Sequence, residues 1–233
     1  MILSTYSRNI AGVVIIFCFM AGCSSTNRAY YDTLKAAFSS SESSLTVEQI
    51  RASRADLMAV KSGDRDSAIM ALAYIENGHH KWVSADNILF IADHGVLIRT
   101  EGLAENLIFT GNLEQNPLLQ PFPLKFNWSR AIDIEGLGYG LPISSAWRLK
   151  GSETLSILSQ TFDTLVIEET VSFPSQPPFI QTGLSWQNRY WFDKESQELL
   201  RSEQKFSPDG DTYNMTYLSR ATRLIDAREG IPQ

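Results

Sequence analysis

The chain has 233 residues, enough for one domain of ordinary size with a full hydrophobic core. Its 26 acidic and 20 basic side chains give a formal charge of −6, which makes it a poor candidate for nucleic-acid binding, where a basic surface is required. The only cysteines, Cys18 and Cys23, lie near the N-terminus, so the rest of the chain has neither disulfide nor thiol chemistry and depends on packing.

The first residues have the layout of a secretory signal. Arg8 supplies a positive charge, and Ile10 to Met20 is an apolar run too short to span a bilayer, which needs about 20 apolar residues. Met20-Ala21-Gly22-Cys23 follows and resembles the bacterial lipobox, with Met20 in place of the usual leucine. That resemblance implies cleavage before Cys23 and lipid attachment at its thiol. Losing Arg8 makes the mature chain one unit more negative. Two or more acyl chains anchor stably, at about 0.8 kcal/mol per buried CH₂. Ser24, rather than Asp, follows the cysteine, which favours the outer membrane over retention at the inner one. The expected organisation is therefore a signal peptide over 1–22, a lipidated N-terminus with a short helix and serine-rich linker over 23–45, and one β-rich domain over 46–233.

Ala29 to Phe38 reads as a short helix, with Tyr30, Tyr31, Leu34 and Phe38 near one face and Asn27 as cap. Residues 39–44 are a serine-rich linker. Thr46-Val47-Glu48-Gln49 has the form of a capping box opening a second helix. After Ala55 the segments become short, apolar and bounded by turns. Strands are expected at Leu57 to Lys61, Ala68 to Glu76, His80 to Ala85, Ile88 to Ala92, Val96 to Thr100 and Leu107 to Thr110. Asn77-Gly78 is a strong hairpin signal because both residues tolerate positive φ, and Asp93-His94-Gly95 makes a second turn. Asn112 to Pro123 holds three prolines and reads as a loop. Further strands are expected at Leu124 to Arg130, Ser144 to Leu149, Glu153 to Leu158, Leu165 to Phe173, Ser185 to Phe192, Glu198 to Phe206 and Thr212 to Leu218. Many short strands with regular turns predict a mainly β chain, an antiparallel barrel-like domain or sandwich with short N-terminal helices.

Catalytic patterns are weak. His79 and His80 are neighbours on a strand and point to opposite faces, and His94 sits in its own turn, so the spacing matches no zinc signature. No Gly-x-Ser-x-Gly motif occurs. Glu168 and Glu169 are adjacent and diverge, while Asp133 and Glu135 share a strand face only if Ile132 and Ile134 point inward. Asp209-Gly210-Asp211 lacks the glutamate that completes a calcium loop and reads as a turn. These features predict no catalytic residue, metal or cofactor. The tryptophans Trp82, Trp128, Trp147, Trp186 and Trp191 all fall in expected strands. Trp186, Asn188, Tyr190 and Phe192 alternate on one face, with Gln187, Arg189 and Trp191 on the other. Core and cross-strand packing is the commoner explanation. Aromatic faces also stack on sugars, so Trp82, Trp186, Tyr190 and Trp191 are candidates for glycan or partner contact.

Glu76-Asn77-Gly78, then Trp82-Val83-Ser84-Ala85-Asp86, then the run from Gly95 to Leu103 resemble the GfcB/YjbF family of lipoproteins encoded with group 4 capsule and related exopolysaccharides. Leu45 to Ile50, Asn188 to Asp193 and Arg201 to Gln204 extend the resemblance. Ala52-Ser53-Arg54-Ala55 departs from it where a proline-tyrosine turn is expected. The resemblance implies an antiparallel barrel-like domain on the periplasmic face of the outer membrane. It also implies a non-enzymatic part in polysaccharide secretion or assembly beside an operon-encoded outer-membrane β-barrel and a periplasmic protein. The polysaccharide itself is a further possible partner. The matched residues have structural roles ready to hand: Asn77-Gly78 and Gly95 make turns, Trp82 packs, Asp86 bonds nearby backbone, and Arg99 pairs with Asp86 or Glu101. A periplasmic glycan-binding module and a polysaccharide-modifying enzyme are the alternatives.

Overall fold

The computed structural model describes residues 45–120, 125–174 and 184–231. Helix α1 is Val47–Arg51. The expected capping box forms, with Gln49 N donating to Thr46 Oγ1 at 3.3 Å and Thr46 N to Gln49 Oε1 at 2.8 Å. The Ala29–Phe38 helix and the serine-rich linker lie outside the described residues.

Twelve strands follow among the described residues: β1 Leu57–Ser62, β2 Ala68–Glu76, β3 His79–Ser84, β4 Leu89–Asp93, β5 Val96–Glu101, β6 Leu107–Thr110, β7 Lys125–Ile134, β8 Gly138–Ile157, β9 Gln160–Ser172, β10 Ser185–Asp193, β11 Leu199–Gln204 and β12 Tyr213–Thr216. They form one sheet in the order β5-β4-β3-β2-β1-β12-β11-β10-β9-β8-β7-β6. Every pairing is antiparallel. The β1–β12 pairing joins the two ends of the meander, so the sheet curls into a nearly closed barrel whose remaining edges are β5 and β6.

Side chains stitch those edges where a backbone ladder would close the barrel. Leu107 N donates to Thr100 Oγ1 at 2.9 Å, and Thr110 Oγ1 donates to Ile98 O at 3.0 Å. Higher on β5, the Gln204 amide acts as one residue of a missing strand. Its oxygen accepts from Leu97 N at 2.9 Å, and its nitrogen donates to Gly95 O at 2.8 Å. These groups are buried, and a buried backbone amide without a partner costs about 1–3 kcal/mol.

Inward residues fill the barrel with rings. Trp147 stacks on Tyr190 at 5.2 Å between centroids, Trp128 lies 6.4 Å from Trp147, and Phe90 meets Tyr213 edge-on at 5.3 Å. Such pairs contribute beyond simple area burial.

Two expectations change. Ser144–Leu149 and Glu153–Leu158 are one long strand, because a register shift between Leu149 and Gly151 absorbs the polar break at Lys150–Ser152. The last strand ends at Thr216, and Leu218–Glu229 is a helix, α2. Gly230, at φ 70°, ends it in a Schellman turn, with Ile231 N donating to Asp226 O at 2.9 Å. Helix α2 packs outside the barrel over β1 and β11 and carries α1 with it. Arg51 pairs with Asp226, Arg223 Nη1 donates to Asp56 Oδ1 at 2.7 Å, and Ser219 Oγ accepts from Leu57 N at 2.8 Å.

Candidate functional site

Neighbours on a strand face opposite ways, and β9 uses this at Glu168 and Glu169. Both carboxylates are buried. The register sets Trp147, Glu169 and Asn188 in one row and Arg148, Glu168 and Arg189 in the next. Glu168 points out, where Arg148 Nε donates to it at 3.0 Å and Arg189 lies 3.8 Å away. Glu169 points into the barrel. Its Oε1 faces Arg130 Nη2 at 2.9 Å as an ion pair, and its Oε2 accepts from Asn188 Nδ2 at 2.8 Å.

The network continues through the interior. Arg130 lies 3.9 Å over the Trp128 ring and donates to Ser145 Oγ at 3.0 Å, which also accepts from Trp147 Nε1 at 2.9 Å. Tyr190 OH donates to Gln204 Oε1 at 3.2 Å. Burial first, and then the negative charge of Glu169, push the Tyr190 hydroxyl well above the ordinary phenol range. Tyr190 is therefore a neutral donor. Beside this network is a cavity of about 20 Å³, lined by Leu97, Thr110, Arg130, Trp186, Asn188 and Gln204 among others. That holds about one water. A sugar-sized ligand needs a pocket of some hundreds of Å³. Glu169 and Arg130 are committed to each other and to fixed neighbours, so the network's chemistry is that of a staple.

The four aromatic residues considered for glycan or partner contact all lie inside the folded domain. Trp82 is 2% exposed, Trp186 6%, Tyr190 0% and Trp191 5%. Trp82 meets Tyr217 edge-on, and Trp186 Nε1 donates to Lys205 O at 2.9 Å. Trp191 points outward as its alternation requires, but Glu153 Oε2 accepts from its indole at 2.9 Å and Arg201 covers its ring. Packing accounts for all four, and none presents a ring face to a ligand. Cys23, the expected lipid attachment point, lies outside the described residues.

Cross-strand register gathers the histidines more closely than their spacing suggests. His79 stands opposite Asp93. His94 Nδ1 is 2.9 Å and His79 Nε2 3.9 Å from Asp93 Oδ1, and Asn116 Nδ2 donates to Asp93 Oδ2 at 2.9 Å and to its carbonyl at 3.0 Å. Asn116 thereby pins the segment after β6, two 3₁₀ turns at Leu113–Gln115 and Pro117–Leu119, across this end of the barrel. His80 faces away, with Arg220 Nη2 at 3.5 Å from its Nδ1. Burial, then Arg220 and His94, hold its pKa below the usual value. Among the described residues, no three His, Cys, Asp or Glu side chains are grouped to hold a metal. Asp211 follows the bend over residues 206–210 and accepts from Ser62 Oγ at 2.9 Å. Arg99 pairs with Glu101 at 2.7 Å, while Asp86 accepts from Ser84 Oγ.

Comparison with known proteins places this geometry. A family described as group 4 capsule polysaccharide lipoprotein gfcB, YjbF matches residues 31–218. The uncharacterized lipoprotein GfcB of Escherichia coli K12 is 28% identical over 208 residues, covering 87% of this chain and 94% of that protein. The uncharacterized lipoprotein YjbF of the same organism is 29% identical over 163 residues, covering 68% and 69%. The crystal structure of the hypothetical lipoprotein YmcC from E. coli K12 superposes with a TM-score of 0.68 at 27% identity, covering 81% of this chain and 94% of that one.

Proposed function

Because the chain belongs to the group 4 capsule polysaccharide lipoprotein family, we propose that it is a non-enzymatic accessory factor in the secretion or assembly of a capsule or exopolysaccharide. In this reading Cys23 carries the lipid, and Ser24 directs the protein to the periplasmic face of the outer membrane. The protein works there beside an outer-membrane β-barrel and a periplasmic partner. The family match across residues 31–218 carries the proposal. The interior supports the non-enzymatic part. Glu169, a fully buried carboxylate facing inward, is neutralised by Arg130, and the cavity beside it has room for about one water. A polymer-cleaving enzyme needs two carboxylates converging on one bond, and Glu168 and Glu169 diverge across the sheet.

A clean deletion tests this. Surface polymer should fall while polymer synthesis inside the cell continues. Normal surface polymer in the deletion strain would refute the role. A Cys23→Ser variant should leave the outer-membrane fraction, and its retention there would mean that the anchor lies elsewhere.

A further inference from the structure

The outer face of β6, β7 and β8 carries two large exposed rings around one carboxylate. Ile132 and Ile134 are buried in the barrel, so Asp133 between them points outward. On one side Phe109 of β6 stands directly opposite Asp133, in register after a shift between Leu107 and Phe109. On the other side β8 also shifts register, and Tyr139 and Gly140 together oppose Asp133. Phe109 is 51% and Tyr139 74% exposed. Each ring thus comes from an irregularity in a strand flanking the same residue, and bulges of this kind re-aim side chains and concentrate at functional positions.

The rings are presented by design of the backbone. Gly140, at φ 60°, follows Tyr139 and gives the strand its turn-like path. The Phe109 ring lies close to Gly111, where an added Cβ would come within 3.4 Å of the ring. Asp133 is oriented too, since its Oδ1 accepts from Gly140 N at 2.6 Å. Pro142, also exposed, faces Ala131 beside the pair. Their strands, β6 and β8, flank β7, so the two backbones run about 10 Å apart. The charge around them is negative, from Asp133 and Glu135.

We propose that Phe109, Asp133 and Tyr139 form a binding site for two neutral pyranose residues of one polysaccharide strand. The rings take the apolar faces of the sugars, and Asp133 accepts from a hydroxyl. The apolar rings and a held acceptor suit a sugar, which has apolar C–H faces and many hydroxyl donors. The negative surroundings disfavour an acidic sugar at these two positions. This site rests on the capsule-related reading above and supplies the glycan contact that the buried tryptophans do not.

The test uses the full-length lipidated protein in detergent micelles. The probe is oligosaccharide cut by mild acid from the polymer of the producing strain, read by saturation transfer from protein to sugar protons. The wild type should transfer saturation, and Phe109→Ala with Tyr139→Ala should weaken apparent affinity by at least about tenfold. Asp133→Asn should weaken it by a smaller factor. Tyr74→Ala with Ile75→Ala, another exposed pair, should leave affinity unchanged. Tyr139→Ser alone provides a check should the double variant fold poorly. No transfer to the wild type at millimolar sugar, equal affinity in the Phe109/Tyr139 variants, or an equal loss in the Tyr74/Ile75 variant would overturn the site. The deletion phenotype is read separately, so an intact secretion role with no sugar binding would remove this site alone.

Discussion

Strand β7 has two faces with opposite economies. Its inward side, Trp128, Arg130, Ile132 and Ile134, packs against the core beside a cavity with room for about one water, and its one charge is matched by Glu169. Its outward side, Ser129, Ala131 and Asp133, stays at least partly open, and the rings beside it are half exposed or more. On the opposite side of the barrel α2 covers the outer surface, so an open face is not a general property of this sheet. An interior with room for about one water leaves no space for a sugar. The difference teaches that the proposed sugar site works on the outer surface, while the interior holds that surface in shape.

Inner-face substitutions should cost stability and outer-face ones should not. Arg130→Ala strands Glu169 in the barrel and should destabilise by about 3–5 kcal/mol in urea unfolding. Replacing the pair together, Arg130→Met with Glu169→Leu, should recover most of that loss, because the penalty comes from an unpaired charge and not from the absence of a pair. If the double change is as damaging as the single one, the network does more than neutralise charge.

Gly95→Ala comes next. Gly95 has φ 95°, and an added Cβ would fall 2.3 Å from Leu199 Cδ2 across the barrel. The loss should be about 1–3 kcal/mol, seen as a lower melting temperature. On the outer face, Phe109→Ala should change stability by no more than about 0.5–1 kcal/mol.

The smallest effect is a pH dependence at His80. Its folded pKa is lowered, so the unfolded chain takes up the proton first as pH falls below about 6.5. Above that value His80 is neutral in both states and contributes no pH dependence. Below it, stability drops as pH falls towards the folded pKa. A His80→Gln variant should show a smaller fall in urea midpoint between pH 7.5 and 5.5 than the wild type. An unchanged fall would assign the acid sensitivity to other groups.

Much of the fold was legible because its signals are local. Asn77-Gly78 turned where its tolerance of positive φ required, and the Thr46 capping box formed with both of its bonds. The split of β8 into two strands was misleading, since a bulge at Gly151 lets a polar stretch continue in one strand. Helix α2 carries no start signal, since Tyr217 caps it without a side-chain bond, and only Gly230 marks its end. The functional surface was the least legible part. Alternation assigns Trp186 and Trp191 to opposite faces, but whether an outward ring stays exposed depends on Glu153 and Arg201, which come from distant strands. Likewise Phe109 and Tyr139 meet Asp133 only through two register shifts, and the pairing of Arg130 with Glu169 depends on sheet order.

The most direct measurement is surface polymer per cell in the deletion strain complemented by wild-type protein or by the Phe109→Ala, Tyr139→Ala variant at equal protein level. The wild type should restore surface polymer, and the variant, folded and membrane-bound, should leave it near the level of the deletion. Full restoration by the variant would contradict the assignment of function to this outer face.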